Sequence, residues 1–124
     1  MTNPIKLVSV VDDDESVREA LPDLLRSLGV DVEAFTSAER FLASRAYDAS
    51  DCLILDVAMP GMTGPELQAE LNRRGRKIPT IFITAIKDDN VRNRLIGKGA
   101  VECLFKPFSD DALQHALQMA LAAD

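Results

Sequence analysis

The residues of this chain best able to do chemistry stand where its short apolar runs end. LVSVV opens into Asp12, Asp13, Asp14 and Glu15; CLIL closes on Asp56; IFI closes on Thr84, followed by Ala85; and CLF closes on Lys106, followed by Pro107. Carboxylate oxygens suit a hard cation such as Mg²⁺, which takes a few of them, keeps waters and completes its shell with phosphate oxygen. Acids crowded together repel, which should raise at least one of their pKa values unless a divalent cation relieves them. A lysine ammonium brings a mobile point charge to a phosphoryl oxygen, and a threonine hydroxyl brings a donor. Together these groups describe a magnesium and phosphoryl site.

Such a set works only if the fold brings the run ends to one edge. Short runs at 6–11, 31–35, 52–56, 80–84 and 102–105, several of them rich in Val and Ile, alternate with longer segments of helical period, the pattern of a parallel sheet covered by helices on both faces. Ligands bind such sheets in the crevice outside the carboxyl ends of the strands, where the winding reverses. Between the first two runs, Val17, Ala20, Leu21, Leu24, Leu25 and Leu28 space out as one face of a helix that Gly29 can end. Pro22 lies inside it, where a proline ring removes an N–H and crowds the carbonyl of Arg18, so a kink or a later helix start is expected. Ser37 can cap a short second helix burying Phe41 and Leu42, and a third follows Gly64 with Leu67 and Leu71. Residues 88–97 form a poorly patterned fourth helix, and Leu113, Ala116, Leu117, Ala120 and Leu121 mark the fifth. Five βα units are expected.

Composition narrows the function classes. At 124 residues, 47% hydrophobic and 27% charged, the chain suits one soluble domain, and no internal repeat or linker divides it. A formal net charge of −6 disfavours direct binding to nucleic acid or an anionic membrane surface. The amino end has neither the basic patch nor the apolar stretch of a signal peptide, and no run is long enough to span a bilayer, so a cytoplasmic location is expected. Cys52 and Cys103 stand singly inside apolar runs, which makes buried reduced thiols the expectation rather than a disulfide or zinc site.

Taken singly, each site residue also has a bland role: acids favour the first turn of a helix, threonine ends strands, and lysine is usually solvated. Order and spacing together weigh against coincidence. VVDDDESVR, LILDVAMPGMTGPEL, IFITA and FKPF, in that order, resemble a two-component response-regulator receiver domain, a CheY-like module, over almost all of the chain. The SAE-FLA and MPGMTG stretches are most similar to receivers of the nitrogen-fixation regulator type. The resemblance implies a flavodoxin-like (βα)5 three-layer α/β sandwich with sheet order 2-1-3-4-5, residues 1–124 forming one receiver domain.

It further implies that Asp56 is the phosphoacceptor, and that Asp12, Asp13, Asp56 and the backbone carbonyl of Ala58 hold Mg²⁺, or Mn²⁺ in its place. Thr84 and Lys106 would each meet a phosphoryl oxygen, and the Lys106-Pro107 peptide would be cis. Asp14 and Glu15 would simply begin the helix. Asp56 would need no general base, because a carboxylate near its usual pKa of about 3.9 is already ionised. The donor would be a sensor histidine kinase or phosphotransfer protein; His115, the only histidine, is read as a surface residue. The chain would be a regulatory phosphoacceptor rather than an enzyme. Its output would be a switched surface on the fourth helix, fifth strand and fifth helix, meeting a downstream protein, an output domain or a second copy of the chain.

Departures from the family pattern carry expectations of their own. Cys103 holds the place of a usual Tyr or Phe, so signalling should rely on repacking of residues 86–97. Ala58 and Ile86 are apolar where side chains can orient attacking water, which implies slow self-dephosphorylation. Two other functions fit the fold less well. A haloacid-dehalogenase-type phosphatase wants an acid where Ala58 stands, and a flavodoxin-like electron carrier wants Ser, Thr and Gly where the chain has DDDE.

Overall fold

The computed structural model describes residues 5–122. Five strands form one parallel sheet: β1 (Leu7–Val11), β2 (Asp31–Phe35), β3 (Cys52–Asp56), β4 (Thr80–Thr84) and β5 (Glu102–Phe105). Their order is β2-β1-β3-β4-β5, as expected. The helices are α1 (Glu15–Ser27), α2 (Ala38–Leu42), α3 (Ala46–Ala49), α4 (Gly64–Arg73), α5 (Asp89–Gly97) and α6 (Asp110–Ala122). The fold is thus an α/β sandwich of the flavodoxin-like kind.

Successive strand residues point to opposite faces, so each buried strand feeds two cores. Val8, Val10, Cys52, Ile54, Ile81 and Ile83 pack against Leu21 and Leu25 of α1 and Leu113, Leu117 and Ala120 of α6. Val11, Leu53, Leu55 and Phe82 face Phe41, Ala46, Leu67, Leu71 and Leu95 from α2 to α5. Because β3 and β4 are buried along their whole length, they read in sequence as unbroken apolar runs. Buried polar side chains on the central strands find partners: the Ser9 hydroxyl of β1 sits 2.6 Å from the Ser50 hydroxyl, which donates to the Ala46 carbonyl, and the Thr80 hydroxyl of β4 donates to the Ile78 carbonyl.

Four expectations are amended. α1 runs unbroken from Glu15 across the buried Pro22, so the helix does not start late; Asp14 caps it by accepting from the Ser16 N–H. Ala20 is exposed, while Leu21 and Leu25 carry the buried face. The first strand begins at Leu7 rather than at residue 6. α3 is an additional helix, too short to show a period; the Ser44 hydroxyl accepts from the Ala46 N–H, and the Arg76 guanidinium donates to the carbonyls of Tyr47, Asp48 and Ser50.

Candidate functional site

The carboxyl ends of β1, β3, β4 and β5 share one edge of the sheet, and the register shows how. Val11 pairs with Leu55, Asp56 with Ile83 and Thr84 with Phe105, so the residues that end or follow these strands stand side by side. One carboxylate oxygen each from Asp12, Asp13 and Asp56 lie within 4.8 Å of one another. Asp12 is wholly buried and Asp56 nearly so, while Asp13 is exposed. Lys106 reaches back from the end of β5, with its ammonium 2.9 Å from Asp12 Oδ2 and 3.7 Å from Asp56 Oδ1. The Lys106-Pro107 peptide is cis, as expected.

Asp12 is fixed from several sides. Its backbone N–H donates to the Phe35 carbonyl, its Oδ1 accepts from the Asp14 N–H, and its carbonyl accepts from Arg18 Nη1 of α1. Sequence reasoning gave Arg18 no separate role, although it lies within the VVDDDESVR stretch. Gly64, the first residue of α4, has a role that its position after Thr63 only hinted at. A Cβ there would lie 2.3 Å from the Asp56 carbonyl oxygen, so only glycine lets α4 start against the end of β3. The loop between them is closed by the Gly64 N–H donating to the Val57 carbonyl and by a reciprocal Thr63–Glu66 capping box.

The electrostatics follow from this geometry. Burial, and then the charge of Asp12, push the Asp56 carboxyl up to about 6, against the opposing pull of Lys106 and the Ala58 N–H. The expectation that Asp56 titrates near the ordinary carboxylate value is therefore corrected: it is ionised at neutral pH but protonates in mild acid. Burial works against the charge on Lys106, yet its hydrogen bond to Asp12 and the nearby Asp12, Asp56 and Asp14 charges hold its pKa above the usual lysine value. Thr84 is buried at the end of β4, and its hydroxyl accepts from the Ile86 N–H at 3.1 Å. Ala58 and Ile86 are both exposed on the loops beside the cluster. An all-oxygen donor set with two buried acids and a single lysine fits a hard divalent cation better than a soft one.

A family model described as the response regulator receiver domain matches residues 8–118. The chain belongs to that family. Among curated relatives, the receiver is 41% identical over 98% of its length to the response regulator protein TodT of Pseudomonas putida. It is 40% identical over 92% of its length to the transcriptional regulatory protein FixJ of Azorhizobium caulinodans. The nitrogen-fixation type is thus one of several relatives at similar identity rather than a uniquely near one. The receiver chain spans about half the length of these relatives, covering 53% of TodT and 54% of FixJ. The solved structure of the response regulator StyR superposes with a TM-score of 0.87 at 46% identity, over 96% of this chain and 60% of that one. As a receiver, the chain is a phosphoacceptor regulatory domain and not a classical catalytic enzyme. No helix among the described residues is long and apolar enough to cross a membrane. Cys52 and Cys103 are free and buried, and burial raises the Cys52 thiol to about 12, which keeps it unreactive.

Proposed function

We propose that this receiver, residues 1–124, accepts a phosphoryl group on Asp56 from a sensor histidine kinase or phosphotransfer protein. The observation that carries this is the convergence of three carboxylates within 4.8 Å with the Lys106 ammonium beside two of them. In the transfer, an Asp56 carboxylate oxygen forms the new O–P bond while the donor's N–P bond breaks and the donor nitrogen keeps the electron pair. Asp56 needs no base to remove its own proton at neutral pH, because it is already ionised above about 6. Asp12, Asp13, Asp56 and the Ala58 carbonyl would hold Mg²⁺ or Mn²⁺, which when bound supplies charge neutralisation at the phosphoryl oxygens. Lys106 leaves Asp12 for a phosphoryl oxygen, and Thr84 turns its hydroxyl proton toward another; the protein's work is positioning and charge.

The acyl phosphate adds roughly one to two negative charges and strong acceptors at the sheet edge. The response is a shift in the face built by α5, β5 and α6, which docks a downstream protein, an output domain or a second copy of the chain. The name of the transcriptional regulatory protein FixJ suggests control of transcription as the eventual output; the receiver would act in the cytoplasm, with nucleic acid contacted elsewhere than on this acidic domain. Incubation with phosphoramidate and Mg²⁺ tests the proposal: the intact mass should rise by one phosphoryl group, and D56N should stay unlabelled. A flavodoxin-like carrier would purify coloured, and a phosphatase would turn over a phosphomonoester; neither behaviour is expected.

A further inference from the structure

Two sequence stretches, SAE at 37–39 and MPGMTG at 59–64, meet in the structure away from the reacting groups. Ser37 caps α2 by accepting from the Arg40 N–H, which orders the first turn of that helix and with it Glu39. Glu39 Oε2 then accepts the Met62 N–H at 3.1 Å, across a separation of 23 positions. The same oxygen lies 2.9 Å from where a Cβ on Gly61 would sit, and Gly61 has a φ of 73°. The carboxylate therefore lies against the bare side of that turn, in space a side chain would occupy.

The loop it touches joins Asp56 to α4 and contains Ala58. Its far end is fixed by the Gly64–Val57 bond and by the Thr63–Glu66 capping box. Met59 is buried in the core, so the stretch from Pro60 to Met62 forms the outer tip. At that tip the Glu39–Met62 hydrogen bond is the polar tie to α2, alongside packing of the half-buried Met62 side chain against the core. We infer that Glu39 is a positioning residue: through Met62 it holds the 57–63 loop so that the Ala58 backbone stays aimed at the cation and phosphoryl group bound beside Asp56. The inference rests on the proposed function. It assigns Glu39 no contact with the reacting atoms.

The test compares the unaltered domain with E39A and E39K, which remove the acceptor, and E39Q, which keeps an amide oxygen in its place. Mg²⁺ affinity is read by calorimetric titration, the Met62 amide by hydrogen exchange in EDTA, and phosphoramidate labelling at limiting and saturating Mg²⁺. E39A and E39K should weaken Mg²⁺ binding about three- to tenfold, speed Met62 exchange, and slow labelling at limiting Mg²⁺ more than at saturation. E39Q should stay within about twofold of the unaltered domain. Unchanged Mg²⁺ affinity in E39A and E39K would overturn the inference even if Met62 exchange rises, because the bond would then be structural only. E39Q as weak as E39A would overturn it too, by showing that charge and not the hydrogen bond matters. If the unaltered domain neither bound Mg²⁺ nor took the label, the proposed function would fall and this inference with it.

Discussion

Burial, and after it the charge of Asp12, hold Asp56 above the ordinary carboxylate range against the pull of Lys106. The folded form therefore holds its proton more tightly than the unfolded chain. Stability from that proton is fully present below the unfolded pKa of about 3.9 and is lost as pH rises through about 6. At pH 7 the ionised group weakens the fold, by at most about 3 kcal/mol. D56N should accordingly raise the unfolding free energy in EDTA by about 1–3 kcal/mol at pH 7, with the gain shrinking toward pH 4. Urea titrations across that range check the sign; a gain that stays constant with pH would contradict it. Lys106 presents the reverse case, because removing it strands a fully buried Asp12. K106A should lose about 1–3 kcal/mol in EDTA and recover part of that when Mg²⁺ is added. That Asp12, Asp13 and Asp56 gather into one acidic cluster able to hold a cation was legible in sequence, and so was the start of the helix at Asp14 and Glu15. The raised pKa of Asp56 was legible only as repulsion within a group, since burial and the distance to Lys106 are properties of the fold.

Individual elements show why some of the structure could be read in advance and some could not. β3 and β4, buried on both faces, announce themselves as apolar runs, and the more exposed edge strands β2 and β5 also fall at 31–35 and 102–105 as expected. Helix α3 has four residues and is held by Ser44 and Arg76 rather than by an amphipathic face, so no pattern marks it. The Glu39–Met62 tie joins helix α2 to the loop before α4 across 23 positions, with no period to connect them. At the start of α4 the constraint is steric, and G64A would drive a methyl group into the Asp56 carbonyl and against Phe82. It should cost about 1–3 kcal/mol or more, and should slow phosphorylation by displacing Asp56; chemical denaturation and labelling rates report both. Helix α5 has Leu95 as its one fully buried side chain. Arg92 ties it to the sheet edge, bonding Glu102 at 2.7 Å and the Cys103 carbonyl at 3.3 Å. A helix held so lightly suits the repacking expected of residues 86–97 in place of an aromatic switch. Phosphorylation should therefore shift amide resonances through α5 and into β5, and R92A should speed amide exchange in α5 while leaving global stability within about 1 kcal/mol. Shifts confined to the surroundings of Asp56 would contradict that route.

For the molecule as a whole, the acids, the lysine and the threonine come from the ends of four strands up to 94 positions apart, and the parallel winding alone gathers them. The two cores on either side of the sheet do not depend on the site, which lets site variants such as D56N stay folded. A cation that binds the folded form and not the unfolded chain must stabilise it by mass action. Mg²⁺ should raise the melting temperature of the unaltered domain more than that of D56N, measured at fixed ionic strength so that screening of the −6 net charge is held constant. One carboxylate among the three is proposed to take the phosphoryl group. Borohydride reduction of the phosphoramidate-treated domain, followed by tandem mass spectrometry, locates the acyl phosphate by converting its carboxyl to an alcohol. Reduction is expected at Asp56 alone and only when Mg²⁺ is present; reduction at Asp12 or Asp13, or at no residue, would contradict it.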